Sequence, residues 1–128
     1  MPTWMFWDYK PNDNVIRAWL DTLPKQAKQK FNNGLLHLAA LPLGSWQRPI
    51  VDTLTDECAG LFEIRVRLGR VRYRLLRYND GRPAQATRLH GFTTPNDKVD
   101  PTQCQEAYRR RDHLEQNPEE RRVLHDYG

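Results

Sequence analysis

The chain has 128 residues, 38% hydrophobic and 28% charged, with four Trp, five Tyr and four Phe. That is long and apolar enough for one globular domain with its own core, and it excludes a disordered chain. No apolar run approaches the ~20 residues of a membrane span, and the start MPTWMFWDYK lacks the basic region and small-residue cleavage site of a secretory signal. Cys58 and Cys104 stand far apart with no Cys/His clustering. They read as neither a disulfide framework nor a zinc site and fit a reducing, cytoplasmic setting.

Trp4–Tyr9 is short, aromatic and β-prone, which predicts a strand closed by the Pro11-Asn12-Asp13 turn. Asp13 or Asn14 can cap a helix whose Val15, Ile16, Trp19, Leu20 and Leu23 recur at helical spacing. A second helix is predicted from Lys25 to Leu41, with Ala27, Phe31, Leu35, Leu38 and Leu41 on one face; Asn33 and Gly34 weaken it. A loop with Trp46, Pro49 and Leu54 follows. The period then changes to two. Phe62, Ile64, Val66 and Leu68 alternate with Glu63, Arg65 and Arg67, and beyond Gly69-Arg70 the residues Val71, Tyr73 and Leu75 alternate with Arg72 and Arg74.

Gly69-Arg70 suits a two-residue hairpin turn. Counting outward pairs Leu68 with Val71, Arg67 with Arg72, Val66 with Tyr73, Arg65 with Arg74 and Ile64 with Leu75. Tyr73 then belongs to the core, and four arginines share the opposite face. Asn79-Asp80-Gly81 turns the chain into a third strand, Ala84–Phe92, in which Arg88 and His90 alternate with Thr87, Leu89 and Gly91. Asp100-Pro101-Thr102-Gln103 predicts a helix start, with Asp as cap, Pro at the first position and Gln closing a capping box. Residues 117–128 read as a polar C-terminal tail.

The charge is uneven. The net charge is +4, yet residues 61–92 hold eight arginines against Glu63 and Asp80, a local +6, while the rest of the chain is slightly acidic. Like charges facing across a ladder destabilise it. An anion over that face removes the penalty, because guanidinium groups grip phosphate oxygens in pairs and stack on bases. A solvated face with arginines chosen for solubility is the plainer alternative. His90, set among cations, is expected to be held mostly neutral, fit to take a proton from a ribose 2′-hydroxyl while arginines stabilise charge gathering on the phosphate; taken alone, it reads first as a histidine hydrogen-bonded between strand and helix. His37, His113 and His125 suggest no role.

GLFEIRVRLGRVRYRLLRY, the NDG turn and LHGF resemble the core of the RelE/ParE toxin superfamily, its HigB-like, phage-associated branch most closely, over roughly residues 3–115. The resemblance implies a single α+β domain: a small antiparallel sheet packed against an N-terminal helical hairpin, with a C-terminal helix. It implies the toxin of a type II toxin–antitoxin pair, held by a helix-turn-helix antitoxin, that cuts mRNA on the ribosome without a metal or other cofactor. Matched by position, Arg65, Arg74 and His90 take the catalytic places. Arg67, Arg72, Arg88 and Lys98 are the remaining phosphate-binding candidates. The family usually continues past His-Gly-Phe with paired lysines, where this chain has Thr94 and Pro95. Two alternatives therefore stand: a toxin of the same fold that inhibits a target such as DNA gyrase without cleaving RNA, and a degenerate toxin that only binds antitoxin or RNA.

Overall fold

A computed structural model of the chain describes residues 5–40, 51–54, 58–78, 85–94 and 100–126. In chain order the elements are β1 (Met5–Tyr9), α1 (Val15–Asp21), α2 (Lys25–Ala39), β2 (Val51–Thr53), β3 (Phe62–Leu68), β4 (Val71–Tyr78), β5 (Gln85–Thr94), α3 (Pro101–Gln116) and β6 (Arg122–Leu124). The strands make one six-stranded sheet in the order β2-β3-β4-β5-β1-β6. The class is α+β, but the sheet is mixed rather than purely antiparallel. β1 runs parallel to β5, from Met5↔Gln85 to Asp8↔Arg88.

The β3–β4 register follows the alternation. Leu68 pairs with Val71, Arg67 with Arg72, Val66 with Tyr73, Arg65 with Arg74 and Ile64 with Leu75. Gly69 opens the turn at φ +59°, a conformation glycine reaches without a Cβ penalty. A slip of one residue would carry Ile64 and Leu75, both buried, to the charged face, and that cost fixes the register.

Each face of the sheet buries its own core. On one side, Ile16 and Leu20 of α1 and Ala27, Phe31, Leu35 and Leu38 of α2 pack on Phe6, Ile64, Val66, Tyr73, Leu75 and Ala86. Full burial of a side chain such as Phe31 or Leu35 is worth about 1.5–3 kcal/mol. Tyr73 is a core residue, as its register position predicts. Asn14, one of the two predicted caps, accepts a hydrogen bond from the Arg17 backbone at 2.9 Å. Asn33 and Gly34 do not break α2, because its apolar stripe is anchored on both sides of them. On the other side of the sheet, Cys104, Ala107 and Leu114 of α3 pack with Tyr9, Leu61, Leu76, Tyr78, Leu89 and Phe92. Asp100 caps α3, accepting from the Thr102 backbone at 3.0 Å.

Three sequence expectations need correction. Cys58 and Cys104 form a disulfide across 46 residues, a pairing their spacing could not reveal. Closing such a loop is worth about 4 kcal/mol in the chain-entropy account. Residues 117–126 are not a detached tail: β6 pairs antiparallel with β1, and His125 is buried beyond it. The predicted loop before β3 contains the short strand β2, paired with β3 from Val51↔Ile64 to Thr53↔Phe62. Trp46, Pro49 and the Asn79-Asp80-Gly81 turn lie outside the described residues. Among the described residues, no helix is long and apolar enough to cross a membrane.

Candidate anion-binding face around His90

A bulge in β5 decides which residues share the site. Arg77 of β4 pairs with Arg88, but the next residue, Leu76, pairs with His90, so Leu89 is an extra residue in the ladder. The alternation predicted Arg88 and His90 on one face. The bulge turns them to opposite faces.

His90 goes to the α3 side, beside Leu76 and Phe92. Its ring stacks on Phe92 with centroids 5.7 Å apart and planes 25° apart. Its Nε2 lies 2.5 Å from Oε1 of Gln103 on α3. Gln103 was predicted to close a capping box; its side chain reaches His90 instead. With the amide oxygen turned to the ring, Nε2 carries the proton and Nδ1 the lone pair. Burial lowers the His90 pKa, and Arg110 adds to the effect; Gln103 and Glu106 oppose it. The shift favours the neutral ring, the direction expected from the sequence, with burial rather than the arginine cluster as its chief cause.

Arg65, Arg67, Arg72 and Arg74 share this face by register. Arg74 stands opposite Phe92 and Arg72 opposite Thr94, so the cluster runs directly into the His90 strand. The four are not equally available. Arg74 is buried and its guanidinium lies 2.6 Å from Glu63 Oε1. Arg65, about a quarter exposed at 27%, reaches the same oxygen at 3.2 Å. One buried carboxylate thus neutralises part of the cluster, which the charge count alone did not foresee. Arg67 is exposed and donates from Nε to the Gly69 carbonyl at 3.0 Å; Arg72 is half-buried.

Arg88 does not join this surface. It is fully buried on the helical-hairpin side and donates through Nε to Asp8 Oδ1 at 2.8 Å, with a second contact from its terminal nitrogen. Asp8 is itself fully buried and also meets Asn14 at 3.0 Å and His125 Nδ1 at 2.9 Å; His125 Nε2 lies 2.8 Å from Asn32. Burial opposes ionisation of Asp8, but Arg88, His125 and Asn14 outweigh it and hold the carboxyl below its ordinary value. This cluster joins β1, β5, α1, α2 and the chain end. Sequence reasoning missed it because Asp8 and His125 are 117 residues apart. Lys98 lies outside the described residues, as does Pro95. Among the described residues no group of His, Cys, Asp and Glu could hold a metal ion.

No protein-family model, curated protein or solved structure matches this chain. The family resemblance therefore rests on the motifs themselves.

On chemical grounds the face offers a neutral imidazole, an aromatic ring beside it and a bank of guanidinium groups reaching solvent at Arg67. Such a set can bind a phosphate chain and move one proton. Its present arrangement keeps Nε2 of His90 and the inner guanidinium of Arg74 occupied.

Proposed function

We propose that the protein is an RNA-binding toxin of the RelE/ParE type and cleaves mRNA without a metal. The observation that carries this is the placement of His90 on the same sheet face as the facing pairs Arg65/Arg74 and Arg67/Arg72, brought there by the bulge at Leu89. In the reaction, His90 takes the proton of a ribose 2′-hydroxyl. The 2′ oxygen attacks the adjacent phosphorus and the bond to the 5′ oxygen breaks. The departing 5′ oxygen takes a proton from water, and the products are a 2′,3′-cyclic phosphate and a 5′-hydroxyl end. Arg65 and Arg72 stabilise charge on the phosphoryl oxygens, Arg67 holds a flanking phosphate, and Arg74 positions Arg65 through their shared Glu63. A helix-turn-helix antitoxin with acidic side chains is the partner this charge would attract.

A second reading is favoured by the contacts at Gln103 and Glu63. A protein of this shape that only binds RNA or antitoxin would keep His90 and Arg74 engaged in this way permanently. Expression in a bacterial host with mapping of RNA ends separates the two. Growth arrest with cyclic phosphate ends, both lost in His90→Ala, supports cleavage. Arrest without new RNA ends, unchanged by His90→Ala, refutes it.

A further inference from the structure

We propose that the Cys58–Cys104 disulfide is a redox latch that keeps the first half of α3 seated over His90, and that a dithiol reductant releases it. The consequence for RNA rests on the function proposed above; the latch itself does not.

Cys104 is the chain neighbour of Gln103, whose amide occupies His90 Nε2. Its partner Cys58 lies in the turn that leads through Leu61 into β3, where Glu63 and Arg65 stand. The disulfide therefore ties the residue that covers His90 to the strand that carries the arginines. The first half of α3 has few other apolar anchors. Its buried residues are Cys104 and Ala107; the next, Leu114, lies two turns further on. The Tyr108 hydroxyl donates to the Ala59 carbonyl at 2.6 Å, so one hydrogen bond still links α3 to the Cys58 turn when the disulfide opens, and it is weaker than the covalent tie. Arg110 donates to the Leu89 carbonyl at 3.0 Å and marks where the firmly held part begins.

The second half is held independently. Leu114 is buried, the Tyr9 hydroxyl meets His113 Nδ1 at 2.7 Å, and Arg121 donates to the His113 carbonyl at 2.6 Å. Opening the disulfide thus loosens one end of the helix and leaves the other docked. The core on the helical-hairpin face does not include either cysteine, so the sheet does not depend on the bond for its main packing.

Reduction is chemically direct. Cys58 is 7% exposed and Cys104 fully buried, so the reductant thiolate attacks the Cys58 sulfur. A mixed disulfide forms at Cys58 and Cys104 leaves as a thiol. The second thiol of the reductant then displaces Cys58. Two electrons pass to the protein, two protons complete its two thiols, and the dithiol ends as its own disulfide.

The test uses the full chain, oxidised and after dithiothreitol, read by amide exchange and by diethylpyrocarbonate labelling of His90 with peptide mass spectrometry. Reduction should raise exchange across residues 101–107 by about tenfold or more beyond the uniform rise that loss of the loop constraint brings to β3 and β4, and His90 labelling should rise with it. Cys58→Ser should resemble the reduced chain under both conditions, and Gln103→Ala should raise His90 labelling in the oxidised chain. Unchanged exchange and labelling on reduction overturn the latch. So does a rise across residues 101–107 no larger than the rise in β3 and β4, which would make the disulfide a staple alone. If His90 is uncovered but the reduced chain neither binds nor cleaves RNA, the latch stands and the RNA function fails.

Discussion

Arg88 and His90 stand two residues apart on β5 and face opposite sides of the sheet, one bonded to Asp8 beneath the helical hairpin, the other to Gln103 beneath α3. One inserted residue, Leu89, separates a structural arginine from a candidate catalytic histidine. The two should fail differently when changed.

Removing one member of the buried pair takes the opposite charge away from the other, which costs about 3–5 kcal/mol. Asp8→Ala and Arg88→Met should each lower stability by that order in urea unfolding, and the double variant Asp8→Ala/Arg88→Met should lose less than the sum. Additive losses would show that the two charges do not depend on each other.

Gly91 is required by packing. A Cβ built there would sit 2.3 Å from two carbons of the Trp19 ring. Gly91→Ala should therefore cost about 1–3 kcal/mol through overpacking, measured by thermal or urea unfolding, and Trp19→Leu in the same chain should recover part of it. The His-Gly-Phe motif thus holds its glycine for α1 while its histidine serves the other face.

Acid should weaken the fold in two steps. His125 has its pKa lowered, by burial first and by Arg88 second, with Asp8, its hydrogen-bond partner, and Asp126 opposing. A lowered pKa means the unfolded chain binds more protons, so stability is full above the ordinary histidine value of 6.5 and falls as pH drops below it to the folded value. His90 contributes in the same window with the same sign. Asp8 adds a second loss below its ordinary value of 3.8. Urea midpoints measured from pH 8 to pH 3 should show both steps. His125→Asn should shrink the first and, because His125 helps hold the Asp8 carboxyl low, reduce the second as well, whereas a flat profile between pH 7 and pH 5 would contradict the burial of these rings.

Local chemistry carried much of this fold. Strict alternation around Gly69-Arg70 set the β3–β4 register residue by residue, and Asp100-Pro101 marked the start of α3, because both signals reside within a few neighbouring residues. What escaped the sequence was long-range or masked by regularity. Thr87 to Phe92 alternates as an unbroken strand does, so the bulge left no trace, and Arg88 was grouped with His90. The parallel pairing of β1 with β5, the Cys58–Cys104 bond and the Asp8–His125 contact join residues that only the completed fold brings together. The alternation put Glu63 on the arginine face but did not show that its buried carboxylate would be shared by Arg74 and Arg65.

The salt dependence of RNA binding tests the central claim most directly. For a short single-stranded RNA, the logarithm of affinity should fall linearly with the logarithm of salt, by about 0.7 for each phosphate contact. Arg67→Ala and Arg72→Ala should each flatten that slope by about one contact, while Arg88→Met, assayed where it remains folded, should leave the slope unchanged. Binding that ignores salt, or a slope untouched by both surface substitutions, would contradict an RNA-binding role for this face.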